Sequence, residues 1–252
     1  MKPFILLLTT GRTGSYKFKH ILDLVPGMYA EDTIEHEDPN LSYGNVLRQN
    51  LIDPSIGRAF VEDKLKYIEQ LPGNYYCDTS NLIGQGFFEH FLELNAIPHV
   101  VILRRDPREV ACSFYQLGWL PKIINHHFLN PSDPNVLQMP GWETMHPYQW
   151  SYWFCLEMER RIQMYLKQLK EKNALVWESS IPQMLELEHF NAMLTYFSIP
   201  TIDHIPQNVV NGRNEFKIVN QLPSPRCLDM FEAKVRSCTG TDHYPSLHEL
   251  KN

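Results

Sequence analysis

The chain holds 252 residues, 43% hydrophobic and 21% charged, a composition expected of a soluble globular protein with one sizeable core. Its net charge of −6 argues against recruitment of nucleic acid or an anionic membrane surface by the overall field, so an anionic ligand has to be met by a local cluster of bases. The five cysteines are scattered, odd in number and without a C-x-x-C pair, which speaks against a disulfide framework or a zinc site and fits a reducing compartment.

No apolar run approaches the roughly 20 residues needed to span a bilayer. The opening "MKPFILLL" leads into "TTGRTGS" where a signal peptide would carry a small-residue cleavage site, so it reads as a buried strand and a cytoplasmic location is expected. There is no Gly/Ser or Pro tract, charge block or repeat, and residues 1–252 read as a single domain.

In chain order, residues 3–9 form a continuous apolar strand. Phe18, Ile21, Leu22 and Val25 then recur at helical spacing until "PG" stops the pattern. The spacing predicts a helix over 57–70, a strand at "NYYCD", a helix over 83–95 and a buried strand at "PHVVIL". A helix through "REVACSFYQL", a long helix near 148–172, the strand "ALVWE" at 174–178 and a helix over 182–197 complete the alternation. Strands alternating with helices predict an α/β fold with a central parallel sheet flanked by helices. Ligands of such sheets sit at the carboxyl ends of the strands, where both "TTGRTGS" and "RRDPRE" fall.

The first of these segments has the parts of an anion cradle. The first amides of a helix lack intrahelical partners and carry the positive end of its dipole. Gly11 and Gly14 let the backbone curl around a phosphate, Ser15 adds a hydroxyl, and Arg12 and Lys17 add charge. A plain Gly-rich turn with incidental bases is the structural alternative. A Walker A loop would need Lys directly after Gly14 and a hydroxyl after that for magnesium; Ser15, Tyr16 and Lys17 stand there instead, which argues against phosphoryl transfer from a magnesium nucleotide. The second segment places Arg105 at a strand end and Ser113 about two turns along the following helix, with Pro107 suited to its first turn. Such a pair can grip one phosphate by charge and by hydroxyl.

With both segments in view, the sequence resembles the sulfotransferases that use 3′-phosphoadenosine 5′-phosphosulfate (PAPS). "RTGSY" at 12–16 matches that family's 5′-phosphosulfate loop, [K/R]-[S/T]-G-[S/T]-[S/T], except at Tyr16. "RDPREVACS" at 105–113 fits its 3′-phosphate motif, R-[N/D]-P-x-[D/E]-x-x-x-S, at every fixed position. The resemblance implies a P-loop-like sulfotransferase fold without a metal. It also implies that Arg12, Thr13, Gly14, Ser15, Tyr16 and Lys17 hold the 5′-phosphosulfate, while Arg105 and Ser113 hold the 3′-phosphate, retained in the product 3′-phosphoadenosine 5′-phosphate (PAP). Arg12 and Tyr16 are closer to the carbohydrate and bacterial branches than to the cytosolic animal branch, and Lys17 stands where that branch has Trp. The adenine therefore needs another stacking partner.

The chemistry implied is transfer of a sulfuryl group to a hydroxyl or amine of a small-molecule or carbohydrate acceptor. Arg12 is the natural stabiliser of charge on the departing phosphate. A base has to come within about 3 Å of the acceptor hydroxyl. The cytosolic branch uses a His in a Lys-Thr-His segment, and "YYCDTSN" here has none; carbohydrate and bacterial relatives use a Glu soon after the first helix. In that place "PGMYAEDTIEHE" offers Glu31 first, then Glu35, then His36, with Asp78 and His90 as lesser candidates; the structural alternative for this acidic run is a solvated loop. His126 and His127 lack metal-ligand spacing. Residues from about 118 to 150 read as a Pro-punctuated acceptor or lid insertion, in which Trp119, Trp142, Trp150 and the neighbouring Trp153 either line a ligand pocket or belong to the core. Arg213 and Lys217 on a later loop are further bases for the 3′-phosphate. A P-loop kinase and a non-catalytic nucleotide-binding relative are the alternatives.

Overall fold

The computed structural model describes residues 2–33, 36–120, 127–211 and 218–241. Five strands, β1 (Phe4–Leu8), β2 (Met28–Glu31), β3 (Tyr75–Asp78), β4 (His99–Arg104) and β5 (Val176–Ser180), pair in parallel in the order β2-β3-β1-β4-β5. This is the expected α/β class with a central parallel sheet between helices. The chain leaves β1 towards one edge and later returns to build the other, so the order reverses at β1. The crevice at the carboxyl ends of β1 and β4 is therefore the topological switch point.

Alternation along the strands divides the core. Phe4, Leu6 and Leu8 of β1, with Tyr76, Val100 and Ile102, pack under α2 (Tyr43–Ile52), α3 (Pro54–Gln70), α4 (Phe88–Glu93) and the latter part of α6 (Pro147–Glu171). Ile5 and Leu7, with Cys77, Val101 and Leu103, face α1 (Ser15–Leu22), the short α7 (Ile181–Met184) and α8 (Leu187–Tyr196). A third cluster joins α5 (Pro107–Leu117), the start of α6, residues 128–145 and α10 (Pro225–Thr239); α9 (Gln207–Asn211) precedes the last of these.

Several boundaries differ from the sequence expectation. The helix expected over 57–70 starts at Pro54, because Asp53 accepts from Ser55 N at 3.0 Å and Pro54 fills the first turn. The helix expected over 83–95 is broken: Gly86 sits at φ 130° and turns its carbonyl to Asn50 Nδ2 at 2.6 Å. The helix expected over 182–197 is split into α7 and α8. Strand β2 falls in the stretch read as an acidic loop; it is four residues long and is held by parallel pairing with β3. Helices α2 and α10 were without an expected counterpart. Trp150 and Trp153 are core residues, and Trp153 Nε1 donates to the Leu137 carbonyl at 3.0 Å. Their full enclosure removes them from the aromatic groups available to a ligand. Among the described residues, no helix is long and apolar enough to cross a membrane.

Candidate functional site

The switch point carries a loop with backbone geometry suited to an anion. Gly11, Arg12 and Gly14 all have positive φ, at 81°, 52° and 101°. Arg12 accepts that strain although it has a Cβ. Gly14 is the N-cap of α1 and supplies no side-chain cap, so the first amides of α1 are left to other acceptors. In contrast α3, α5, α6 and α10 are each capped by a side chain, from Asp53, Asp106, His146 and Ser224.

Gly14 is also constrained from outside. A Cβ there would stand 2.2 Å from Ile181 Cγ1, whereas one on Gly141, at φ 73°, would meet nothing within 4 Å. Gly14→Ala is therefore expected to cost about 1–3 kcal/mol through overpacking plus backbone strain. Gly141→Ala carries the strain alone and should cost less. Urea unfolding of the two variants beside the parent checks this, and equal losses would remove Ile181 from the account.

Thr13, Gly14, Ser15, Tyr16 and Lys17 line a cavity of about 580 Å³ together with Arg12, Arg104, Arg105, Asp106, Glu109 and, from the junction of β5 and α7, Ser180, Ile181 and Pro182. Tyr16 is 64% exposed and meets the His20 ring edge-on at 4.3 Å. Thr13 is buried, its hydroxyl in contact with that of Thr9, which bonds to the Leu103 carbonyl at 3.1 Å and so ties the loop to β4.

The second motif folds as its residue types require. Asp106 caps α5, accepting from the amides of Arg108 and Glu109 at 2.8 and 3.2 Å, and Pro107 opens the helix. Arg108 is clamped to α10 by Glu232, at 2.8 Å to each carboxylate oxygen, and by Asp229 at 2.6 Å. The helix that carries the motif is thereby fixed against the C-terminal helix.

The two motifs meet at Arg12. Its Nε donates to Ser113 Oγ at 3.1 Å, its carbonyl accepts from Arg105 Nη1 at 3.0 Å, and its guanidinium lies 5.1 Å from the Trp119 ring centroid. Burial and then the neighbouring Arg105 charge push the Arg12 guanidinium below its ordinary pKa. Two cations held together in a half-buried crevice favour an anion between them. Arg105 also pairs with Glu109 at 2.9 Å, an exposed contact of small energetic weight.

Glu31 is elsewhere, at the carboxyl end of β2, its side chain 11% exposed. Its Oε1 accepts from Lys64 Nζ at 2.5 Å and from Tyr76, and its Oε2 from Tyr67 at 3.2 Å. His36 Nε2 lies 3.9 Å from Oε2. Glu31 and Asp78 are register partners across β2 and β3, and Lys64 reaches Asp78 Oδ2 at 3.2 Å. His90 is apart from this group, bound to Asn50 at 2.9 Å and Glu93 at 3.1 Å. Glu35, His126, Arg213 and Lys217 lie outside the described residues.

Three features escaped the sequence reading. Arg104, beside the motif arginine, lines the cavity and pairs with Glu159 and with Glu178, the latter at 2.9 Å. Nothing local marked Ser180 to Pro182 as part of the cavity lining. Lys64 did leave a signal: it falls on the apolar stripe of α3 with Phe60, Val61 and Ile68.

No protein-family profile matches the chain. No curated protein matches it either. Among solved structures it is similar to the mouse sulfotransferase SULT7A1 complexed with PAP, at 9% identity and a TM-score of 0.42, over 97% of this chain and 69% of that one.

Proposed function

We propose that this chain is a single-domain PAPS-dependent sulfotransferase acting on a hydroxyl or amine of a small-molecule or carbohydrate acceptor. The observation that carries the reading is the meeting of the two phosphate motifs: a glycine loop ahead of a helix without a side-chain cap, and the Arg105–Ser113 helix, joined through Arg12 beside one cavity. The donor set suits the cofactor's two anionic ends, with the α1 amides, Arg12 and Lys17 at the 5′ group and Arg105 and Ser113 at the 3′-phosphate.

When bound, the cofactor supplies an activated sulfuryl group on a phosphate leaving group. Arg12 neutralises the charge that grows on that phosphate. Glu31 takes the proton of the attacking hydroxyl. The segment from Gly118 onward, beginning with Trp119 beside Arg12, forms the acceptor side. Arg12, Tyr16 and the Glu-bearing segment after α1 support the carbohydrate and bacterial branches over the cytosolic animal branch.

The test is ligand-induced thermal protection. PAP is expected to protect the protein at much lower concentration than AMP, which lacks the 3′-phosphate. In Arg105→Ala that preference should disappear, because losing a charge-assisted phosphate contact costs about 1.5–3 kcal/mol. Equal protection of the parent protein by PAP and AMP would refute the two-anion site.

A further inference from the structure

Lys64 has a side chain wholly removed from solvent in the middle of α3, as enclosed as Asp78 beside it. Its ammonium lies 2.5 Å from Glu31 Oε1 and 3.2 Å from Asp78 Oδ2. The rings of Tyr43, Tyr67 and Tyr76 surround it at 5.8, 5.3 and 5.4 Å to their centroids. One cation thus serves two carboxylates that parallel pairing has placed side by side.

The remaining groups around the carboxylates are donors or neutral rings. Tyr67 donates to Glu31 at 3.2 Å, and Tyr76 reaches both acids with its one hydroxyl, lying 3.1 Å from Asp78 Oδ2. Thr33 donates to Asp78 at 2.7 Å and the Ser80 amide at 3.0 Å, and His36 flanks Glu31 at 3.9 Å. Burial, followed by the charges of Asp78 and Glu31, pushes the Tyr43 and Tyr76 hydroxyls well above their ordinary range. Burial and then Glu31 do the same to Tyr67. None of the three hydroxyls is a source of negative charge at neutral pH.

Two carboxylates buried side by side and sharing one donor hydroxyl favour a cation between them; without it, repulsion favours proton uptake by one of the pair. A buried ion pair is seldom retained for stability, since an apolar residue of similar volume often serves as well. We infer that Lys64 is the positioning residue of the proposed reaction, compensating the charge of Glu31 and aiming it from the end of β2, and acting through that carboxylate without touching substrate. The inference rests on the assignment of Glu31 as the base.

The experiment uses the full chain as parent, Lys64→Met, Lys64→Arg and the double variant Lys64→Met/Asp78→Asn. The activity probe is hydrolysis of PAPS to PAP and sulfate: water attacks sulfur, the sulfur–oxygen bond to the phosphate breaks, and the proton of water passes to the base. In Lys64→Met the acid limb of the hydrolysis pH profile should move up by about one unit or more, as expected when a like charge is left uncompensated. Lys64→Arg should restore the parent profile.

Thermal unfolding gives a reading independent of activity. A carboxylate whose pKa is raised in the folded state above its unfolded value loses stability as pH rises through that higher pKa, so the deficit of Lys64→Met should be larger near pH ~8 than near pH ~5. The double variant carries one carboxylate and no cation, and should recover most of the stability while keeping a displaced acid limb. It also carries the test if Lys64→Met does not fold.

A pH-independent deficit, or an acid limb in the double variant that coincides with the parent, overturns the inference. A steep deficit alongside normal hydrolysis by Glu31→Gln supports the charge-holding role of Lys64 but overturns its catalytic part, because the base assignment itself has then failed.

Discussion

Glu31→Gln is expected to lower PAPS turnover by about 10² to 10⁴, the contribution usual for a general base, and to leave PAP affinity nearly intact. The reason lies in what the substitution keeps. Glutamine has the size of glutamate, and its carbonyl oxygen can still accept from Lys64 or Tyr76, whose donors reach Glu31 in the parent protein. Lys64 retains Asp78 at 3.2 Å, so the fold is left with a balanced pair and no buried unpaired charge. The cavity at the glycine loop does not include Glu31. Turnover measured by sulfate release, beside PAP titration and thermal unfolding, separates these effects. If turnover is normal with the fold intact, the base is not Glu31; Glu35, second among the sequence candidates, and then His36, 3.9 Å from the Glu31 carboxylate, are the substitutes to examine.

Arg12→Ala is expected to weaken PAP binding by about 1.5–3 kcal/mol, the worth of a charge-assisted contact. Turnover should fall further, by about 10² to 10³, the loss typical when a donor to developing charge is removed. Both effects arise because Arg12 joins the two motifs: its guanidinium meets Ser113 and the Trp119 ring, and its carbonyl meets Arg105. Arg12→Gly is the backbone control. Glycine tolerates the φ of 52° without a Cβ, so this variant should match Arg12→Ala in lost function while folding at least as stably. Isothermal titration with PAP and single-turnover sulfate release decide the outcome. Loss of turnover with unchanged affinity would confine Arg12 to the departing phosphate, whereas unchanged values for both would exclude it from the site.

The cavity also explains why its parts were legible one at a time. Each motif is local: a glycine loop between a strand and a helix, and an Arg-Asp-Pro turn whose Asp caps α5 with its proline in the first turn. Local chemistry of this kind is written in consecutive residues. That Arg12 reaches Ser113, 101 positions away, follows from the pairing of β1 with β4, which sets the two loops side by side.

The acidic segment is the opposite case. Its polar residues read as a solvated loop, yet Met28–Glu31 forms an edge strand and Glu31 is nearly enclosed. Only parallel pairing with β3 supplies the backbone partners, and only the approach of α3 supplies the cation that lets two carboxylates stay in the interior.

By itself the sequence determined the α/β alternation of strands and helices, the glycine-loop and Arg-Asp-Pro motifs and the helix start at Pro107. All of these depend on residues within a few positions of one another. The tertiary structure decided the sheet order, the share of the cavity lining taken by Ser180 to Pro182, the burial of Trp150 and Trp153, and the company kept by Glu31, Lys64 and Asp78. Those are long-range pairings, in which burial and charge compensation between distant segments override what each segment would favour alone.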